Sequence, residues 1–411
     1  MEIRPILSAL LRNKTGPVLV AVQVALSLAI LANALHIVQV RQAVSARASG
    51  MASEQDIFSL QIRQMQPGSH EEQLAIQHRD TERLRAVPGV MSVATTSQMP
   101  LSRSGNYTSM SVDRKQQKPT ATASVYRSAD SLIKTWGLQL VEGRDFLPNE
   151  VVEVNLDTSQ DWAKVAIITS RFGAKMWPGA GSYVGKTMFF GAGDTAREVR
   201  VVGVIDKMQT PGAQIDEEGE YSILVPLRTT GGRTVSYTLR AEPGQLDRVM
   251  KEAEAAVRAA SPLPIIVKAR SMVETRTTRY RADRALAWML VAVSVLLLLV
   301  TASGIVGMAS LWVTQRRKQI GVRRALGARR VDILRYFVTE NVLITSAGVF
   351  SGVLLALALN QLLVSKLEMA RLPAGYLLAG AGLLWGLGIA AVYGPAWRAA
   401  SISPATATRT A

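Results

Sequence analysis

One stretch of the 411 residues carries the residue types of a phosphate-binding loop: Gly179-Ala-Gly-Ser-Tyr-Val-Gly-Lys-Thr187. Such a loop needs two glycines separated by four residues ahead of Lys-Ser/Thr, so that backbone N–H groups can cradle a phosphate. Here five residues separate Gly185 from Gly179 and three separate it from Gly181. The spacing predicts instead a turn leading into a strand at Thr187–Phe190. Acid–base and metal chemistry find as little support. The chain has no cysteine, hence no disulfide, thiolate ligand or cysteine nucleophile. His36, His70 and His78 are too few and too scattered for a histidine-rich metal site. No G-x-S-x-G or H-E-x-x-H occurs, and no histidine is placed to serve a nucleophile. His70 and His78 read as solvated surface. The expectation is a chain with no catalytic residues, no metal site and no bound cofactor.

Gln23, Asn33 and His36 have a different interest, because the run that holds them is otherwise apolar. Thr15–Val40, Ala285–Gln315, Asn341–Ser365 and Leu372–Trp397 are 26, 31, 25 and 26 residues without a charge. About 20 apolar residues cross the hydrocarbon core of a bilayer. Buried helices of a soluble protein would carry charge on one face, and these do not. Four membrane spans are predicted, with the three polar groups of the first bonding between packed helices. Asn33, His36, Ile37 and Gln39 offer no cleavage site after the first span, so it is not a signal peptide. Ahead of it, Ile3, Ile6, Leu7, Leu10 and Leu11 alternate with Arg4 and Arg12, predicting an amphipathic interfacial helix.

Apolar residues make up 48% of the chain and charged residues 19%, with a net charge of +16. That excess is placed by topology. Eight basic residues and one acid, Asp332, lie between Arg316 and Arg335. The positive-inside rule puts this segment and both termini in the cytoplasm. The long segment between the first two spans is then outside, since large domains translocate regardless of charge. Nucleic acid is not an expected partner. Residues 41–284 read as α+β: strand-helix-strand patterns over about 56–98 and 233–270 bracket a β-rich insertion over about 99–232.

The remaining candidates are Ser303, Gly304, Gly307 and Ser310 in the second span, whose small side chains let helices approach closely. Gly348 and Gly352 in the third span repeat that spacing, as do Gly382 and Gly386 in the fourth. Between the second and third spans, apolar Ile320, Val322, Ala325 and Leu326 interleave with arginines. Gly327 then interrupts, and Val331, Ile333, Leu334, Phe337 and Val338 follow. This predicts a helix, a break and a second helix.

The segment IGVRRALGARRVDILRYFVTENVLI (320–344) resembles the coupling segment of the FtsX/MacB-type permeases of ABC transporters. LQLVEGRDF (138–146), VAIITSRFGAKMWPGAGSYVGKTMF (165–189) and REVRVVGVI (197–205) are similar to the MacB-like periplasmic core domain. PAWRAASISPATATR (395–409) looks like the same family's closing motif. The resemblance implies an inner-membrane protein with four transmembrane helices and a periplasmic α+β domain between the first two. The expected parts are an interfacial helix (1–15), spans (16–40, 285–313, 339–365, 374–397), a periplasmic domain (41–284), a coupling segment (314–338), a short loop (366–373) and a tail (398–411). It also implies a non-catalytic subunit of an exporter, paired with a second permease chain, with a periplasmic adaptor and an outer-membrane channel as further partners. The MacB members carry a fused ATPase, and these 411 residues contain no Walker A sequence, so ATP is expected to be hydrolysed by a separate ABC ATPase. Arg323, Arg324, Gly327, Ala328, Arg329, Arg330 and Asp332 are the expected contacts to it. A lipoprotein-releasing or cell-wall-hydrolase-regulating complex is the alternative use of the same machine. A transmembrane receptor accounts for less of the chain, which has two further spans and no cytoplasmic signalling domain.

Overall fold

The computed structural model describes residues 14–66, 68–103, 105–159, 161–191, 196–367 and 371–401, with Leu10 and Gly193. The interfacial helix expected over 1–15 and the tail beyond Ser401 lie outside the described residues, but for Leu10, Lys14 and Thr15. In chain order the α-helices are Thr15–Ala46 (α1), His70–Arg85 (α2), Leu132–Trp136 (α3), Ser170–Met176 (α4), Leu246–Ala260 (α5), Met272–Gln315 (α6), Arg317–Ala325 (α7), Arg330–Leu367 (α8) and Ala374–Ala400 (α9). Of these, α1, α6, α8 and α9 are long and apolar enough to cross a membrane. The chain divides into two compact units: Val44–Ala282, and the residues on either side of it.

The strands all lie in the first of these units. They are Ile57–Gln64 (β1), Val90–Thr95 (β2), Tyr107–Ser111 (β3), Ala121–Ser128 (β4), Leu140–Gly143 (β5), Val152–Asn155 (β6), Val165–Thr169 (β7), Thr187–Phe190 (β8), Arg197–Ile205 (β9), Ser222–Thr230 (β10), Thr234–Ala241 (β11) and Ile265–Ser271 (β12). β1-α2-β2 and β11-α5-β12 combine into one antiparallel sheet, ordered β12-β1-β11-β2. That is the split β-α-β arrangement. Phe58, Leu60 and Ile62, two apart on β1, share a core with Leu84 of α2 and Val249, Ala253 and Val257 of α5.

Between β2 and β11 the chain builds a second sheet, ordered β4-β3-β8-β9-β7-β10-β6, with β5 against β9. β7 is buried at every position and packs on both faces. Ala166 and Ile168 join a core with Phe172 and Val225, whereas Val165 and Ile167 join Tyr126, Trp136 and Leu224. The Gly179–Lys186 segment is the connection from α4 to β8, with Gly179 and Gly185 at φ +77° and +84°. That backbone is open to glycine and closed to most side chains.

The first residues of α6 are rooted in this unit. Met272 and Tyr280 are fully buried in its core. Arg276 donates from Nε and Nη2 to the two Glu54 oxygens at 2.7 and 2.6 Å. Its Nη1 donates to the carbonyls of Ser45 and Arg47 at 3.0 and 3.1 Å. Burial alone would push the Glu54 carboxyl up. The Arg276 fork and the Ser49 hydroxyl more than offset this and hold it below its ordinary 4.5.

In the helical unit, α8 lies against α1 at two glycines. A Cβ on Gly348 would sit 2.7 Å from the Ala21 carbonyl oxygen and 2.8 Å from Val24 Cβ. One on Gly352 would sit 3.0 Å from Ala25 Cα. Gly380 and Gly388 of α9 are close as well, to Leu28 and to Asn341 respectively, while Gly382 and Gly386 have nothing within 4 Å. Polar groups pair across the helices. Ser27 and Thr301 hydroxyls meet at 2.8 Å. Asn33 donates to the Ala356 carbonyl at 3.2 Å, and Asn360 accepts the Leu372 N–H at 3.0 Å. His36 lies 5.2 Å from the Tyr376 ring.

Two outcomes follow from this packing. Gly348→Leu forces a side chain into the α1 backbone and should destabilise the chain by about 1–3 kcal/mol, whereas Gly382→Leu should be near neutral. Thermal unfolding in detergent distinguishes them, and equal melting of the two variants contradicts the close approach. The Glu54 carboxyl is depressed in the folded state, so its contribution is complete above 4.5 and is lost as pH falls through the folded value. Glu54→Gln should therefore lower stability at neutral pH and flatten the acid limb of a melting-temperature profile.

Candidate functional site

The segment between α6 and α8 places the expected coupling residues. Only Arg316 separates α6 from α7. Its guanidinium turns back to α8, where Nη1 donates to both Glu340 oxygens at 2.9 and 2.8 Å and to the Tyr336 hydroxyl at 3.3 Å. The Glu340 side chain is 1% exposed, so this pair clamps the helix junction in an apolar surrounding. Ile320 of α7 is buried with Ile333 and Phe337 of α8 and Ala396, Ala399 and Ala400 of α9.

α7 ends in a left-handed cap. Gly327 stands at φ +95°, the Ala328 N–H bonds the Arg323 carbonyl and the Gly327 N–H the Arg324 carbonyl. This is the Schellman pairing, which satisfies the last carbonyls of a helix and reverses the chain. α8 then begins with its own clasp: Asp332 accepts the Arg329 N–H at 3.0 Å.

These contacts sort the seven expected residues. Arg324 donates to the Ala400 carbonyl, Arg323 lies 5.2 Å over the Tyr336 ring, and Ala328 packs beside the Ile320 core. Asp332 and Gly327 shape the turn. Arg329 and Arg330 are exposed. The apolar residues divide too. Ile320, Ile333 and Phe337 are buried, while Leu326, Val331 and Val322 are 83, 66 and 52% exposed. Periodicity within so short a helix could not separate the two sets. Arg316 and Glu340 were missed at the sequence level, although an acid at the mouth of an uncharged run is a signal that calls for a partner.

Among the other candidates, Gly304 meets the Gln23 amide, whose oxygen lies 2.5 Å from an added Cβ. Ser303, Gly307 and Ser310 are exposed on α6. His70 is not free surface: its Nδ1 lies 2.6 Å from the Thr230 hydroxyl. Solvation describes His78 better, which is exposed and 3.2 Å from Glu153.

Residues 24–262 match the MacB-like periplasmic core domain and residues 291–404 the FtsX-like permease C-terminal domain. The chain belongs to the MacB/FtsX-like family of ABC transporter permeases. The macrolide export ATP-binding/permease protein MacB of Agrobacterium fabrum is 27% identical over 309 residues, 72% of this permease and 44% of that protein. The MacB protein of Bradyrhizobium diazoefficiens is 37% identical over 136 residues, 33% and 21% of the two chains. The pyoverdine export ATP-binding/permease protein PvdT of Pseudomonas syringae pv. tomato is 30% identical over 181 residues, 42% and 27%. The permease thus spans less than half the length of these relatives. Each of these relatives is named as combining an ATP-binding part with a permease part.

Removing one partner of the buried pair leaves a carboxylate without its counter-charge, a loss of about 3–5 kcal/mol. Arg316→Met should therefore melt well below wild type in detergent. Arg316→Met with Glu340→Leu should recover most of the difference. A double variant no better than the single one removes the clamp from the account.

Proposed function

We propose that this permease is the membrane subunit of an exporter and transmits the motion of a separate ATPase to its periplasmic domain. The reading rests on one observation: Val322, Leu326 and Val331 are exposed apolar residues around the same turn that carries the exposed Arg329 and Arg330. A leucine held 83% exposed on a capped turn gains by burial in a partner, and the arginines supply charge complementarity to acidic groups around it.

In this reading the loop and both termini face the cytoplasm, and the ATPase grips the α7–α8 turn. ATP binding closes the ATPase and displaces α7. The Schellman turn and the Arg316–Glu340 pair keep α7 from yielding locally, so displacement passes to α6 and α8. α6 is one unbroken helix from Met272 to Gln315, and its root carries the movement into the periplasmic domain. A second permease chain completes the dimer, and a periplasmic adaptor with an outer-membrane channel carries cargo onward. The names of the relatives support export as the output of the cycle.

The test is recovery of an ATPase with the tagged chain from native membranes. Leu326→Asp removes the burial of a leucine, about 1.5–3 kcal/mol, and should reduce recovery by about tenfold or more. Arg329→Glu with Arg330→Glu should do the same with unchanged melting temperature. Wild-type recovery in both variants sinks the docking assignment.

A further inference from the structure

Two of the membrane-spanning helices end on the same short helix. α6 stops at Gln315 and α7 starts at Arg317, with only Arg316 between them. α7 also packs on the last turn of α9: Ile320 is buried with Ala396, Ala399 and Ala400, and Arg324 donates to the Ala400 carbonyl. Nine residues of helix reach only about 14 Å, so α7 lies across those two ends and stays at their level.

The flanking residues fix that level. The uncharged run of α6 ends at Gln315 and that of α9 at Trp397, each followed at once by a basic residue, Arg316 and Arg398. Tyr393 and Trp397 are 51 and 50% exposed and stack on one another, with ring centroids 6.2 Å apart and planes at 16°. Amphipathic rings settle where acyl chains meet headgroups. α7 therefore lies at headgroup depth, as an interfacial helix does.

The charge at that depth is one-sided. Arg317 and Lys318 of α7 and Arg398 of α9 are exposed, and none has an ion-pair partner among the described residues. α7 carries no acid, and neither does the last turn of α9. The two acids of α8 are engaged, Glu340 by Arg316 and Asp332 by the Arg329 N–H. A helix C-terminus disfavours an anion through its free carbonyls, but here Arg324 covers the Ala400 carbonyl. Cations without counter-ions, beside exposed rings at the end of an apolar run, match a negative headgroup with its acyl chains alongside.

We propose that α7 and the end of α9 form a binding surface for anionic phospholipid. Arg317, Lys318 and Arg398 hold the headgroups, and Tyr393 with Trp397 lies against the apolar part. None of these residues belongs to the ATPase docking surface proposed above, so the two readings fail separately.

The test places the full chain in nanodiscs of phosphatidylglycerol and phosphatidylcholine in equal parts and counts the lipids retained on release by native mass spectrometry. Wild type should retain phosphatidylglycerol in preference to phosphatidylcholine. Arg317→Gln, Lys318→Gln and Arg398→Gln should each weaken that preference about fivefold, and the triple variant should abolish it. All three positions are exposed, so the fold is not at stake. Lys175→Gln removes an exposed cation of α4 in the other unit and should leave the preference unchanged. Equal retention of the two lipids by wild type overturns the proposal. So does a wild-type preference in the triple variant, or an equal loss in Lys175→Gln. Displacement of the retained lipid by inorganic phosphate also overturns it, in favour of a site for soluble anions.

Discussion

The rest of this structure depends on how α6 is held at its first turns. Arg276 spends its guanidinium on Glu54 and on the carbonyls of Ser45 and Arg47, the residues that close α1 and follow it. One side chain therefore ties the start of the second span helix to the end of the first. A helix end normally leaves carbonyls without partners, and here those carbonyls become the anchor. Tyr280 adds a ring buried in the same core. The first turns of α6 are fixed in place because two helix ends are joined by charge-assisted bonds.

The helical unit solves a different problem. In lipid, apolar burial gives helices no reason to prefer one another over acyl chains, so contact depends on close approach and internal hydrogen bonds. Gly348 and Gly352 provide the first at the α1–α8 contact, and Asn33, Asn360, Ser27 and Thr301 provide the second. The basic turn outside that layer obeys the rules of a water-exposed surface instead. It is braced by its caps and by Arg316–Glu340, with Val322, Leu326 and Val331 left outward.

The spans, the split sheet and the break at Gly327 were legible because each follows from local pattern: uncharged length, two-residue alternation, a glycine between amphipathic runs. The choice among glycines was not legible. Gly382 and Gly386 have the same spacing as Gly348 and Gly352, yet lack a neighbour, because spacing says which residues share a face and not what faces it. The role of Asp332 was hidden for a similar reason. Three residues into a helix it reads as an exposed charge, and its bond to the Arg329 N–H exists only once that turn has formed.

Leu326 stands in the open on a turn closed at Gly327. The positive φ of Gly327 and the cap bonds behind it turn the chain there and leave that leucine outward. A leucine left in water on a closed turn is a standing cost to the isolated chain, one that only burial against another surface removes.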